Sequence, residues 1–189
     1  MTDHDARSGV TVFPRAVLVR PETIAFGQPV IIDDFVFIGR HRRAVIGNYV
    51  HIACHASITG GGEIVIADFA GISSGARVLT GTDDFAGGAL SGPCIPDEFR
   101  AVTRGYVVIS SHAIVGANVV VLPNITIGEG ATVGAGSVVT RDLKPWGVYA
   151  GAPARLLRMR PREPVLAMEE ALYALHGRPG RSFRNPEEP

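Results

Sequence analysis

This chain of 189 residues has no excess of either charge, few cysteines and no apolar run long enough to cross a membrane. Its 18 basic and 18 acidic residues balance, which argues against nucleic acid or another strongly charged partner. Two cysteines, Cys54 and Cys94, cannot form a disulfide framework, and free thiols favour the cytoplasm. The first ten residues are polar and lack the apolar core of a signal peptide. We therefore expect a soluble, cytoplasmic protein with one domain, no membrane span and no nucleic-acid partner.

An aliphatic residue recurs at every sixth position toward the C-terminal end of the chain. The series is Ile109, Val115, Val121, Ile127, Val133 and Val139. A helix repeats about every 3.6 residues and a strand alternates its faces, so neither explains a period of six. A solenoid does, because each six-residue unit can form one side of a stacked coil.

The same spacing continues upstream and is interrupted at regular places. Steps of six link Phe26, Ile32 and Ile38, then Ile46, Ile52 and Ile58, and then Ile66, Ile72 and Val78. Steps of eight separate these sets, and a step of 31 separates Val78 from Ile109. Three sixes make a triangular coil, so the pattern predicts about five coils within residues 21–160, with every insertion at one corner. The longest insertion is a loop at 81–106 after the third coil, on the face where repeat proteins often bind ligands.

The two ends of the chain depart from the repeat. Residues 1–20 are irregular, and we interpret them as an N-terminal arm or a leading strand. Within residues 161–177, the segment from Pro164 to His176 is typical of a short amphipathic helix closed by Gly177, and we expect it to cap the open end of the solenoid. Residues 178–189 are polar and rich in proline, which predicts a disordered tail.

One run near the C-terminus carries a family resemblance. It reads VLPNITIGEGATVGAGSVVTRDLKPWGVYAGAPARLLRMR and resembles the C-terminal signature of the hexapeptide-repeat acyltransferases. The repeat resemblance extends over about residues 24–160, and it is nearest to sugar O-acetyltransferases such as galactoside acetyltransferase and enzymes of bacterial surface-polysaccharide synthesis. It implies an all-β solenoid, the left-handed parallel β-helix. It also implies a homotrimer with active sites between subunits, acetyl-CoA as the donor, a carbohydrate acceptor and no metal.

The resemblance also assigns positions for the donor. Backbone amides at Ala117 and Ala135 match those that hold the pantetheine arm, and they lie 18 residues apart, or one coil. The plainer interpretation is that small residues fill corners. Thr140 and Arg141 match a Thr-Lys pair that follows in the family, and Arg155 and Arg158 match two basic residues that reach the nucleotide and its phosphates. Arginine suits phosphate because of its forked donors, although a solvated basic end is the alternative.

The catalytic position departs from the family pattern. O-acetyl transfer usually needs a histidine base, and the matching position here is Asp83. An ordinary aspartate is too acidic, so either burial and the neighbouring Asp84 raise its pKa, or it orients a histidine or the acceptor. The substitute histidines, in order of preference, are His55, His51 and His112. The first two are candidates to reach a neighbouring subunit's loop across a trimer interface.

The long loop is interpreted as a lid over the acceptor, with Asp84, Phe85 and Arg100 as contacts. The basic segment 40–43 lies at the same corner two coils below. Two interpretations remain for it: contact with the phosphate of a nucleotide- or lipid-linked sugar, or a solvated turn.

Three functions from different classes follow. The resemblance favours O-acetyl transfer to a sugar or glycan precursor. The missing histidine favours N-acetyl transfer to an amino sugar or nucleotide-linked amino sugar, because an amine needs less help from a base. The third is a γ-type carbonic anhydrase or a non-catalytic scaffold. A metal site needs three converging ligands, whereas His51 and His55 lie on adjacent coil sides with no suitable third histidine between Gly60 and Ser111.

Overall fold

Short aliphatic strands and tight corners alternate along almost the whole chain. The computed structural model describes residues 9–184, which wind into a left-handed parallel β-helix of about seven turns. The strands of the first three turns are β1 (Val10–Val12), β2 (Val17–Leu18), β3 (Ile24–Phe26), β4 (Val30–Ile32), β5 (Phe37–Ile38), β6 (Arg43–Ile46), β7 (Val50–Ile52), β8 (Ser57–Thr59) and β9 (Glu63–Ile66).

The second half continues the winding around one long loop. Its strands are β10 (Gly71–Ile72), β11 (Arg77–Leu79), β12 (Gly81–Thr82), β13 (Thr103–Arg104), β14 (Tyr106–Ile109), β15 (Ile114–Val115), β16 (Val120–Val121), β17 (Ile125–Ile127), β18 (Thr132–Val133), β19 (Val138–Val139), β20 (Gly147–Ala150) and β21 (Arg155–Met159). One α-helix, α1 (Glu163–His176), follows, and short 3-10 turns lie at Pro21–Thr23 and Asp97–Phe99.

The strands stack into three faces of a triangular prism. Face A has the order β1-β4-β7-β10-β15-β18-β20-β21, face B the order β2-β5-β8-β11-β16-β19 and face C the order β3-β6-β9-β14-β17. All stacked pairs are parallel except β20 with β21, which form an antiparallel hairpin. We name each edge after the two faces that it joins. Along the chain, the AB edge comes between a strand of face A and the next strand on face B, and the BC and CA edges are defined in the same way.

The six-residue period marks the interior of the prism. On face A, Ile32 pairs with Ile52, Ile52 pairs with Ile72, and Val115 pairs with Val133 in register. These side chains are at most 3% exposed. A single turn cannot cover its own interior, so each buried Ile or Val gains its stabilisation of about 1.5–3 kcal/mol from the turns above and below.

The predicted corner for insertions is the BC edge. The 3-10 turn at Pro21–Thr23, the segment 40–42, the glycines at 60–62 and the long loop all lie there. Parallel pairing across each face leaves no space for an extra residue within a strand, so additional length leaves the prism at an edge. The prediction that all insertions share one corner is confirmed.

The solenoid is longer than the predicted five coils. Val12, Leu18 and Phe26 continue the steps of six and eight one turn upstream, and β1 pairs in register with β4. Tyr149, on β20, pairs with Val133 and fills the interior at the other end. Residues 10–18 are therefore strands of the first turn and not a separate arm, whereas residues 1–8 of the predicted arm lie outside the described residues.

A column of aromatic rings lines the CA edge. Tyr49 stacks on Phe69 with ring centroids 4.6 Å apart, and Phe69 stacks on His112 at 4.9 Å. Trp146 continues the column and covers Gly130, which has a φ of +64°. Tyr49, Phe69 and His112 occupy the same corner of successive turns, so the backbone spacing sets their stacking distance, and Trp146 lies beyond the turn of Gly130.

Helix α1 begins at Glu163, one residue before the predicted Pro164, and ends at His176, where Gly177 follows with a φ of +79°. The ring of Tyr173 packs against Phe69 at 5.8 Å, and Glu169 accepts a hydrogen bond from His112 at 2.9 Å. The helix therefore runs along the CA edge, and the prediction that it caps the open end is wrong. The aromatic column offers an apolar strip to pack against, which accounts for this position.

The predicted disorder after residue 177 does not hold for residues 178–184. Phe183 is 6% exposed and packs on Val45 and Val65 of face C. The buried carboxylate of Asp68 accepts hydrogen bonds from the Phe183 amide at 3.0 Å and the Ser182 hydroxyl at 3.1 Å. A hydrophobic anchor and a buried acceptor outweigh the polar composition, while residues 185–189 lie outside the described part.

Replacement of Gly130 by alanine should destabilise the fold more than the same change at Gly136. Both residues have positive φ, which costs alanine about 1 kcal/mol. A Cβ at Gly130 would overlap the Trp146 ring, whereas Gly136 faces open space. We expect a loss of about 3 kcal/mol for Gly130→Ala and about 1 kcal/mol for Gly136→Ala in urea unfolding. Equal losses would contradict this role of Trp146.

Glu169 should make the fold sensitive to acid. Burial raises the pKa of its carboxyl group, but hydrogen bonds from Arg184, His112 and Tyr173 together lower it below the ordinary value of 4.5. Its stabilising contribution is therefore present above pH 4.5 and is lost as the pH falls through the lowered pKa. We expect Glu169→Gln to cost about 2 kcal/mol at pH 7 and to flatten the acid limb of stability against pH.

Glu170→Gln is the matched control, because this exposed neighbour pairs with Arg178 at 2.7 Å. An exposed ion pair contributes little, so the control should change stability by less than about 1 kcal/mol. Denaturant titrations at several pH values between neutral and acid measure both variants. If the free energy of unfolding of Glu169→Gln still falls with acid as it does in the wild type, Glu169 is not the cause of the acid sensitivity.

Candidate active site

A cavity of about 990 Å³ lies at the BC edge, between the long loop and the corner turns below it. Its charged lining consists of five arginines and one aspartate: Arg20, Arg40, Arg42, Arg100, Arg104 and Asp83. The whole chain has no net charge, so this excess of arginine is a local feature of the cavity. Phe37, Thr59 and Thr82 add an aromatic ring and two hydroxyl groups.

The base of the loop is fixed to the prism. Strands β12 and β13 pair antiparallel and close the loop at its neck. The Thr80 hydroxyl donates to the carbonyl of Thr59 at 2.9 Å and accepts from the amide of Gly62 at 2.9 Å. Gly60 has a φ of +106°, and a Cβ there would overlap the backbone of Gly81. The neck therefore has a defined position above the cavity.

Asp83 is the first residue beyond the neck. Its carboxylate accepts a hydrogen bond from the Gly92 amide at 3.1 Å and pairs with the guanidinium of Arg100 at 3.4 Å. The side chain is 29% exposed, and the Arg100 side chain is 13% exposed. The structure thus brings two of the predicted site residues, Asp83 and Arg100, together in the cavity wall.

The other two loop residues predicted to contact the acceptor have different surroundings. The Asp84 carboxylate accepts from the amides of Ala86 at 2.7 Å and Gly88 at 2.6 Å, and these backbone hydrogen bonds lower its pKa. Phe85 is 93% exposed. Neither side chain lines the cavity: Asp84 closes a turn of the loop and Phe85 faces solvent.

The predicted histidines lie on other parts of the prism. His51 projects from face A, with its Nε2 atom 3.1 Å from an oxygen of Asp33. His55 lies at the AB edge and stacks on Phe35 with ring centroids 5.0 Å apart. Face B separates that edge from Asp83, so a single chain does not bring these histidines to the loop. The third candidate, His112, is buried against Glu169 at the CA edge.

The two alanines predicted to hold the donor lie at the AB edge in successive turns. The Gly136 amide donates to the carbonyl of Ala117 at 2.8 Å, which fixes the vertical register of this edge. Ala135 is exposed and Ala117 is half-buried. Within residues 9–184, the amides of Ala117 and Ala135 donate to no carbonyl, so two stacked donors remain available.

The remaining predicted donor residues divide between two places. Arg155 and Arg158 are exposed on β21, and the turn before β21 joins the top of the AB edge through a hydrogen bond from the Ala154 amide to Val138. Thr140 and Arg141 are also exposed, but they follow β19 at the BC edge. The structure therefore groups Ala117, Ala135 and Arg155, and places Thr140 and Arg141 across face B.

Three residues of the cavity were missed in the sequence. Arg20, Phe37 and Thr59 belong to the first three turns, below the loop. The step of eight between Leu18 and Phe26 was the available signal for Arg20, because it marks the insertion corner one turn earlier. Phe37 and Thr59 are next to the inward Ile38 and Ile58, so strand alternation indicated that they point outward, but only the stacked turns show that they line this cavity.

Two structural searches concern other function classes. Over the described range 9–184, no three His, Cys, Asp or Glu side chains are grouped so that they could hold a metal ion. Neither is any helix in that range both long enough and apolar enough to span a bilayer.

The fold and the site can now be compared with known proteins. The sequence model described as bacterial transferase hexapeptide (six repeats) matches residues 106–141. AntD, an N-acyltransferase from Bacillus cereus solved with dTDP and 3-hydroxybutyryl-CoA, is 39% identical over 87% of each chain, with a TM-score of 0.81. A serine-to-cysteine variant of AntD, solved with dTDP-4-amino-4,6-dideoxyglucose and coenzyme A, is 39% identical over 86% of this chain and 87% of that chain, with a TM-score of 0.80.

A more distant likeness concerns the fold alone. A maltose O-acetyltransferase from Clostridium difficile 630 is 22% identical over 74% of this chain and 67% of that chain, with a TM-score of 0.51. No curated protein sequence gave a significant match. The repeat, the prism and the likeness to AntD agree with one another, and the chain therefore belongs to the bacterial hexapeptide-repeat transferase family and is an acyltransferase.

Proposed function

We propose that this acyltransferase moves an acyl group from acyl-CoA to the amino group of a sugar. The observation that carries the proposal is the chemistry of the loop. Residues 81–105 contain no histidine, and the histidine that lines the cavity, His41, is buried with its ring nitrogens held by the Thr23 hydroxyl at 2.8 Å and the Gly39 carbonyl at 3.1 Å. The carboxylate that faces the cavity, Asp83, is already paired with Arg100 and a backbone amide. A carboxylate is a poor base for a sugar hydroxyl, so Asp83 suits an amine acceptor better.

The two acceptor types make different demands on the protein. A sugar hydroxyl is far too weak an acid to lose its proton to an aspartate, whereas an amine has a neutral fraction that carries a lone pair already. Asp83 holds the amino group by a charge-assisted hydrogen bond and accepts the proton that nitrogen loses as the amide bond forms. When bound, acyl-CoA supplies the thioester carbonyl, and its C–S bond breaks as coenzyme A leaves.

The AB edge suits the donor. The amides of Ala117 and Ala135 point out from successive turns about 4.8 Å apart, which fits an extended pantetheine arm with alternating amide groups. Arg155 lies at the AB end of β21 and Arg158 farther along the same strand on face A, and both guanidinium groups suit the phosphates of the nucleotide end. Thr140 and Arg141 serve the same donor from a second copy of the chain. AntD was solved with coenzyme A, which supports coenzyme A chemistry for the donor. Acetyl-CoA stays the expected donor, although AntD was solved with a 3-hydroxybutyryl thioester.

A homotrimer completes this arrangement. The donor edge and the Asp83 cavity lie on opposite sides of face B in one chain, so one subunit brings its loop to the donor edge of the next. The acceptor class is supported by AntD, whose complex holds a nucleotide-linked amino sugar.

O-acetyl transfer to a sugar is the second candidate. One observation favours it: the exposed pair of His51 and Asp33 on face A has the geometry of a general base with an orienting carboxylate. In a trimer, His51 or the neighbouring His55 then approaches a loop of another subunit and takes the hydroxyl proton.

Replacement of Asp83 should separate the two candidates. Asp83→Asn keeps the shape but removes the charge that holds the amine, so kcat/KM for an amino-sugar acceptor should fall about a hundredfold. Asp97→Asn is the matched control, because Asp97 also lies 3.4 Å from Arg100 but is 97% exposed. Release of coenzyme A, measured with dTDP-4-amino-4,6-dideoxyglucose and with its hydroxyl counterpart, gives both rates.

Acylation of the hydroxyl acceptor alone, with loss of that activity in His51→Ala and little effect of Asp83→Asn, would establish the second candidate and reject N-transfer. Amide formation that depends on Asp83 but not on His51 would establish the first.

The donor assignment has its own test. Arg155→Ala and Arg158→Ala should each weaken coenzyme A binding about tenfold, because each removes a charge-assisted contact to phosphate. Binding of pantetheine, which lacks the nucleotide, should not change in either variant. Arg178→Ala is the control, since this exposed arginine pairs with Glu170 on the CA side of the prism. Calorimetric titration measures all three, and unchanged affinity in both test variants would refute the assignment.

A further inference from the structure

The arginines of the BC-edge cavity greatly outnumber the carboxylates beside them. Arg20 lies 3.9 Å from Glu22, and Arg100 lies 3.4 Å from Asp83. In the part of the chain that the structure describes, Arg40, Arg42 and Arg104 form no ion pair. Like charges gathered without counter-charges are unfavourable for folding, so their convergence on one cavity calls for an anionic ligand.

The cluster has the features of a constructed site. Arg42 donates to the carbonyl of Arg104 at 3.0 Å and ties the basic segment to the loop neck. Gly61 has no side chain, and a Cβ there would lie 3.0 Å from the Nε atom of Arg104, so the glycine leaves space for that guanidinium. The Nε atom of Arg100 is buried and has no hydrogen-bond partner within residues 9–184. A buried unpaired donor is costly, and a ligand oxygen would satisfy it.

We propose that this arginine cluster binds the diphosphate group of an acceptor in which the amino sugar is carried as a diphosphate ester. The inference rests on the proposed function, which is acyl transfer to the amino group of a sugar. It adds that this sugar is linked to a diphosphate. A diphosphate presents several anionic oxygens, and guanidinium groups bind such oxygens in pairs. Arg20 to Arg104 span four turns, or three rung spacings of about 14 Å in total, which exceeds what a single phosphate needs.

The order of groups along the cavity follows from the turns. Asp83 lies at the loop end, where the sugar amine reacts. Arg104 lies beside it at the neck, and Arg40 and Arg42 lie two turns below. Phe37, with 40% of its surface exposed, is in that lower turn on face B. An exposed ring there provides a stacking surface for a nucleobase, although a lipid chain is the other apolar group that a sugar diphosphate can carry.

Binding of three probes tests the cluster directly. Inorganic pyrophosphate carries the shared chemistry, dTDP adds a nucleoside and farnesyl diphosphate adds a lipid chain. Each is titrated by calorimetry into the full-length protein and into Arg40→Ala and Arg104→Ala. Arg43→Ala is the matched control, because Arg43 is in the same basic segment but lines a different cavity, on the face C side. Thermal unfolding of every variant verifies that the fold persists. Arg40→Lys is included as a milder change that keeps the positive charge.

We expect pyrophosphate to bind at one site per chain and to lose about tenfold to a hundredfold in affinity in each test variant. Arg43→Ala should change it less than threefold. Tighter binding of dTDP than of pyrophosphate, with that gain lost in Phe37→Ala, identifies a nucleotide acceptor. The same dependence on arginine with a preference for farnesyl diphosphate identifies a lipid carrier, and the diphosphate site still stands. Equal affinity in wild type, Arg40→Ala and Arg104→Ala, or no binding of any probe, overturns the proposal.

Activity distinguishes this inference from the proposed function. Arginine-dependent binding of dTDP without any amide formation would retain the diphosphate site and reject N-transfer. Amide formation on a free amino sugar as efficient as on its nucleotide-linked form, with no rise of KM in Arg40→Ala, would retain N-transfer and reject the diphosphate site.

Discussion

The structure depends on one constraint: the interior of each turn is covered only by the turns above and below it. Ile32, Ile52 and Ile72 stack in register, and every step along this column has the spacing of hydrogen-bonded parallel strands. An insertion inside a strand would shift the register and move an aliphatic side chain from the interior to the surface. Extra residues are therefore found at the edges, and the arginine-rich cavity lies at the edge that carries them.

The three edges have different roles because different residues occupy the same corner position. The CA edge carries stacked rings and holds helix α1 and the following segment through two buried carboxylates, Asp68 and Glu169. The AB edge carries small residues in its upper turns, which leaves the amides of Ala117 and Ala135 accessible. The BC edge carries the insertions, and these surround a cavity rich in arginine. One edge thus stabilises the fold, and the other two are open to ligands.

The chemistry of the cavity follows from what surrounds its single carboxylate. Asp83 accepts a hydrogen bond from the Gly92 amide and pairs with Arg100, and in the proposed function it holds the acceptor's amine. The surplus of arginine below it suits an anion. An acceptor that has an amino group at one end and a diphosphate at the other matches both halves of the cavity. The likeness to AntD, solved with dTDP and with a dTDP-linked amino sugar, agrees with this description.

The six-residue period by itself determined the solenoid, the direction of the core residues and the corner that carries the insertions. It could do so because the repeat is local. Each unit of six residues contains its own inward aliphatic residue, and similar units before and after it supply the neighbouring turns. The sequence also marked Asp83 and the stacked positions of Ala117 and Ala135, since an interval of 18 residues is one turn.

Only the tertiary structure decided how the non-repeating parts pack. Helix α1 lies along the CA edge because Tyr49, Phe69 and His112 form an apolar strip that exists only when turns are stacked. Residues 178–184 are ordered because Phe183 meets Val45 and Val65, which are far away in sequence. Arg20 and Arg104 line one cavity, which spans four turns of the prism. Face B lies between Asp83 and the two histidines His51 and His55. Such long-range contacts depend on the winding of the whole chain, and no short stretch of sequence contains them.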